Sequence, residues 1–169
     1  MLPISSPSFA ALTAGVLIAT VVDMRTRRIP NALTGTMASV GVALAAVGLS
    51  GLSVGASLLG LVVGLSVMLP GHVLGATGAG DVKLMAAVGA FLGPALAVKA
   101  FLFTAIAGGL LAVIVSLHRR RLSATLAATA RMIAMPADAR HEIKTAAPAS
   151  RFAYGPAIAI GSMLAVLLA

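Results

Sequence analysis

Asp23 and Asp81 are the residues of this chain best placed to do chemistry. Only four carboxylates occur in 169 residues: Asp23, Asp81, Asp138 and Glu142. The first two abut long apolar segments, where an ionised group is expensive to hold and is by default a functional candidate. The other two fall in a polar stretch. Asp81 closes the string Gly78-Ala79-Gly80-Asp81, a flexible turn set before the apolar run Val82 to Leu92. Two carboxylates a few ångströms apart cannot both ionise comfortably, so one keeps a proton while the other is charged. The charged member can take a proton from water, the water can attack a carbonyl, and the protonated member can donate a hydrogen bond to the developing oxyanion.

Two structural readings stand beside the chemical one. Asp81 could cap a helix that begins at Val82, a position aspartate favours. Asp23 could pair with Arg27 one helical turn on. Local residues leave these readings open, because what matters is whether the chain brings the two acids together.

The elements that must do so are apolar helices. The chain is 60% hydrophobic and 9% charged, with a mean hydropathy of +1.09, which is more apolar surface than a soluble domain can hide. A bilayer core of roughly 30 Å takes about 20 apolar residues per helix. Backbone groups in lipid must be satisfied internally, and long continuous runs without alternation decide for helices over a barrel. The fold class expected is all-α, a polytopic membrane protein of a single domain, 1–169. Six spans account for the runs, at about 4–23, 32–49, 52–70, 82–98, 100–117 and 152–169. A Gly48-Leu49-Ser50-Gly51 corner joins the second and third; Gly93-Pro94 and Lys99 punctuate the fourth and fifth.

Orientation follows from the basic residues. The first run has no basic residue before it and Arg25, Arg27 and Arg28 after it, opposite to a cleaved signal peptide, which puts the N-terminus outside. The cytoplasmic segments then hold Arg25, Arg27, Arg28, Lys83, Arg119, Arg120, Arg121, Arg131, Arg140, Lys144 and Arg151, and only Lys99 falls outside. A missing or extra crossing would scatter these charges over both faces. The same map sets Asp23 and Asp81 on one face, with two intervening spans returning the chain to it. The +8 net charge therefore reads as membrane orientation and contact with anionic lipid at the cytoplasmic face, and no nucleic-acid partner is expected. Within the basic loop 118–151, Leu122, Leu126, Thr129 and Ile133 at helical spacing, with Ser123 as a cap, describe a short interfacial amphipathic helix. Small residues such as Ser57, Gly60 and Gly64, or Gly108 and Gly109, mark faces where helices pack closely.

No cysteine is present, which removes thiol nucleophiles, thiolate metal sites and disulfides. His72, His118 and His141 are scattered without i, i+4 pairing, so no metal or other cofactor is expected; His72 reads as an interfacial residue.

Longer strings add a resemblance. Asp23-Met24-Arg25-Thr26-Arg27-Arg28-Ile29-Pro30-Asn31 with Leu33-Thr34, and Gly78-Ala79-Gly80-Asp81-Val82-Lys83-Leu84 with Gly89, resemble the two signature regions of the bacterial type IV prepilin peptidases, in the same order and topology. Phe152-Ala153-Tyr154-Gly155-Pro156 is similar to that family's third recurrent element. The resemblance implies an aspartic endopeptidase of the Gly-x-Gly-Asp type in the bacterial inner (cytoplasmic) membrane, with Asp23 and Asp81 as the catalytic pair. Pilin or pseudopilin precursors would be its substrates. Gly78, Gly80, Lys83, Pro30, Asn31, Gly155 and Pro156 would support the motifs without doing chemistry. The chain resembles the short subfamily of tight-adherence (Flp) pilus systems, which implies no N-methyltransferase activity. Two other classes compete: an ion-coupled transporter or channel component using the acids to carry charge, and a non-catalytic pilus-assembly scaffold.

Overall fold

The computed structural model describes residues 5–75, 77–118 and 153–169, and within them the protein is entirely helical. Five helices follow one another: α1 (Ser6–Thr26), α2 (Asn31–Ala46), α3 (Val54–Val73), α4 (Ala79–His118) and α5 (Gly155–Leu167). Three of them, α1, α3 and α4, are long and apolar enough to cross a membrane. The basic loop expected to hold an amphipathic helix, together with Phe152, lies outside the described residues.

Local chemistry explains the helix ends. Arg27 takes the left-handed conformation (φ 53°) and its N–H returns to the Asp23 carbonyl, closing α1; an αL residue at this place is a common helix stop. Pro30 then caps α2 with its carbonyl, which accepts from the Leu33 and Thr34 N–H groups. The corner between α2 and α3 turns on Gly48 and Gly51, both at positive φ, and the Ser53 hydroxyl caps α3 by accepting from the Ala56 N–H.

The principal difference from expectation lies in α4. The break between the fourth and fifth spans falls at Gly93 and not at residues 98–100, and Lys99 lies within a helical leg. Gly93 adopts φ 74°, ψ 175°, a region essentially reserved for glycine. Pro94 opens the next leg, a position where its missing N–H goes unnoticed. The chain reverses there. Next to Gly93 lie Leu52 and Ala56 at the start of α3, whereas Gly108 packs against the Tyr154 ring at the start of α5. Tyr154 is in turn close enough to Asp81 to feel its charge. A straight helix would carry residue 108 about 40 Å beyond residue 81; in the fold both stand at the same end of the bundle. Gly93→Ala is expected to destabilise the protein by about 1–3 kcal/mol, read as a lowered Tm in detergent.

Packing is inside-out relative to a soluble domain. Large aliphatics such as Ile106, Leu110, Leu59 and Val62 are exposed, while Ser8, Ser57, Thr104 and Ser162 are fully buried. The buried core gathers Leu12, Val16, Leu84, Met85, Phe91 and Ile158 from α1, α4 and α5. With no hydrophobic drive between helices in lipid, close approach of small residues supplies the cohesion. The first leg of α4 lies antiparallel on α3, with Gly60 against Gly89, Gly64 against Met85, and the Ser57 hydroxyl donating to the Ala90 carbonyl at 2.7 Å. Of the glycine pair anticipated further on, Gly108 is such a contact, while Gly109 faces open space.

Candidate active site

Asp23 sits in the penultimate turn of α1, four residues before its left-handed stop, and is 5% exposed. Its Oδ2 accepts a 2.8 Å hydrogen bond from the backbone N–H of Gly155, the first residue of α5. Asp81 is 8% exposed. It is not the cap of a helix starting at Val82, because α4 begins three residues earlier at Ala79. Gly78 is the residue before the helix, its carbonyl accepting from Asp81 and Val82 N–H groups, and Asp81 is the third helical residue. From there its Oδ2 accepts from the Gly78 N–H at 2.8 Å, the reach-back half of a capping box. The reading of Asp81 as a helix-start residue was thus right in kind and wrong in position.

The two acids are brought to one end of the bundle by contacts among the flanking residues. A side chain at Gly80 would meet Ile29 at 3.1 Å, so the start of α4 lies directly on the α1–α2 connection. Lys83 Nζ donates to Asn31 Oδ1 at 2.8 Å, joining α4 to the first residue of α2. With these ties in place, the two carboxylates stand at the same end of the bundle.

Each expected supporting residue has a place. Gly78 caps α4, Gly80 permits the approach of Ile29, Pro30 and Asn31 open α2, and Gly155 and Pro156 open α5. Lys83 is exposed with its amine on Asn31, so it braces two helices. Lys83→Met is expected to cost less than about 1.5 kcal/mol, read as a small drop in Tm in detergent. His72 is exposed and meets the Thr77 carbonyl through Nδ1 at 3.0 Å, so it braces the turn that leads to Gly78. Sequence reasoning missed the bond from Gly155 to Asp23; the available signal was a glycine preceding proline at the mouth of an apolar run.

Among the described residues no group of three or more His, Cys, Asp or Glu could hold a metal ion. An apolar groove of about 420 Å³ runs along Ser66, Leu69, Pro70, Val73 and Leu74 of α3. It contains no titratable side chain and lies apart from both aspartates in the sequence.

Fold and site together define a membrane protein that is helical throughout its described residues, with two buried carboxylates drawn to one end. The chain belongs to the type IV leader peptidase family, whose model matches residues 10–113. No curated protein and no solved structure matches it. Family membership makes the protein a peptidase and a pilin-type precursor its general class of substrate. The match takes in both aspartates and ends before α5.

Proposed function

We propose that this protein is an aspartic endopeptidase that cuts the basic leader from a pilin or pseudopilin precursor at the cytoplasmic face of the bacterial inner membrane. The observation that carries the reading is the pair Asp23 and Asp81: buried, each held through one carboxylate oxygen by a backbone N–H, and brought to one end of the bundle, in a chain of a peptidase family.

In the proposed reaction the ionised carboxylate takes a proton from a water molecule as the water oxygen bonds to the scissile carbonyl carbon. The protonated carboxyl donates its hydrogen bond to the carbonyl oxygen as negative charge develops there. Collapse of the tetrahedral intermediate breaks the C–N bond. The departing nitrogen receives a proton from the acid that took it up, leaving a carboxylate on the leader and a free amine on the mature subunit. Burial favours this chemistry because proton sharing between like charges needs a site with little water.

Six crossings with the N-terminus outside fit this reading. The reversal at Gly93 turns α4 into two antiparallel legs, and Arg25, Arg27, Arg28 and Lys83 lie beside the acids. Membrane lipids, anionic at that face, would meet these residues. Pairing of the acids in a peptidase family favours this account over the transporter and scaffold readings. The test is direct. The purified protein in liposomes, given a pilin precursor, is expected to yield one product cut between the basic leader and the apolar helix, with no methyl group added to the new N-terminus, as read by intact mass. An uncut precursor at high enzyme excess would sink the proposal.

A further inference from the structure

We propose that Gly155 is a positioning residue for Asp23, its backbone N–H fixing the orientation in which this carboxylate meets Asp81. The inference rests on the aspartate-pair reading above and adds to the site a helix that the family match does not cover.

The geometry is specific. The Gly155 N–H donates to Asp23 Oδ2 at 2.8 Å, across 132 residues of sequence, with both partners buried. A side chain at 155 would press on the acid: its Cβ would lie 3.0 Å from Asp23 Oδ2, 3.1 Å from Asp23 Cβ and 3.4 Å from Asp23 Cγ, so the carboxylate would have to yield by a few tenths of an ångström. Glycine therefore does two things there. It lets the peptide come to hydrogen-bonding distance, and it leaves the carboxylate undisplaced.

Charge favours the same arrangement. Asp23 lies near the C-terminal end of α1, where the helix's own unpaired carbonyls disfavour an anion. The first turn of α5 presents the opposite end of a helix, with unpaired N–H groups that favour one. Pro156 occupies the first turn of α5, where it sets φ without removing a needed donor. Tyr154, packed on Gly108, holds that turn against the second leg of α4. Without the bond, the Asp23 side chain would keep its rotamer freedom and stand next to its own helix's carbonyls.

The test compares Gly155→Ala with the unmodified protein in liposomes, rates being expressed per folded molecule. Turnover is expected to fall about tenfold or more, the size of one weakened hydrogen bond to a charged group, with KM within about twofold. Unchanged turnover per folded molecule, or a raised KM with unchanged turnover, overturns the proposal. Should the alanine variant fail to accumulate, a semisynthetic chain with an ester oxygen in place of the Gly155 N–H keeps the shape and removes the donor. It is expected to lose about tenfold or more in turnover, the size of one hydrogen bond to a charged group, and full activity overturns the proposal. The contact is also read without activity: the Gly155 amide proton is expected to move upfield and exchange faster in Asp23→Ala, and an unmoved resonance refutes the bond. Normal cleavage by Asp23→Asn would instead remove the aspartate-pair reading, so the two failures are distinguishable.

Discussion

Asn in place of Asp81, or of Asp23, is expected to lower precursor cleavage by at least about a thousandfold, the upper range of what a positioned acid or base contributes, while the protein accumulates and unfolds as before. The substitution is close to isosteric, and the structure says why the fold survives it. Asp81 accepts from the Gly78 N–H and Asp23 from the Gly155 N–H, and an asparagine carbonyl can accept both bonds. What the amide cannot do is gain and release a proton. Initial rates with a pilin precursor, set beside membrane abundance and Tm of each variant, separate loss of chemistry from loss of structure. Normal processing by either variant would end the two-acid account.

The second large effect concerns the α3–α4 contact. A Cβ at Gly89 would overlap the Gly60 carbonyl oxygen, and one at Gly60 would overlap the Gly89 carbonyl oxygen. Backbone cannot swing away as a flexible side chain can. Gly89→Ala or Gly60→Ala is therefore expected to force α3 from the first leg of α4, costing about 3 kcal/mol or more, at or above the usual range for overpacking. The control is Gly109→Ala in the second leg of α4, where nothing lies within 4 Å of the added atom; it is expected to be neutral or to stabilise by up to about 1 kcal/mol through helix propensity. Thermal unfolding in one detergent compares all three. Equal behaviour of Gly89→Ala and Gly109→Ala would show that the close approach is not what holds these helices together. Because Asp81 rides on the same leg as Gly89, activity is expected to fall with the fold.

Much of this architecture could be read from the chain because lipid imposes a simple grammar on sequence. Apolar runs of span length named the helices, and Gly48 and Gly51 named the corner between α2 and α3. Positive φ at those glycines is the local event that the residue type announces. Other features depend on partners far away in sequence and left no such trace. Two spans with a reversal between them follow from the length of the apolar stretch, but hydrophobicity alone sets the break near Lys99, whereas the backbone turns at Gly93, next to Leu52. The start of α4 was placed at Val82 because hydrophobicity begins there, whereas the backbone winds up at Ala79, where Gly78 and the Asp81 side chain supply the cap. Lys83 is legible as a basic residue at the cytoplasmic end of its helix; that its amine meets Asn31 is not. In the same way nothing in the sequence ties Gly155 to Asp23, because a backbone N–H carries no label there.

The bond between Asp23 and Gly155 also sets a timetable. A ribosome delivers Asp23 132 residues before Gly155, so while the chain between them is made and inserted the carboxylate on α1 lacks the donor that later holds it. Docking of α5 and completion of the acid's surroundings are one event, and a nascent chain stalled before α5 would carry both aspartates without that donor.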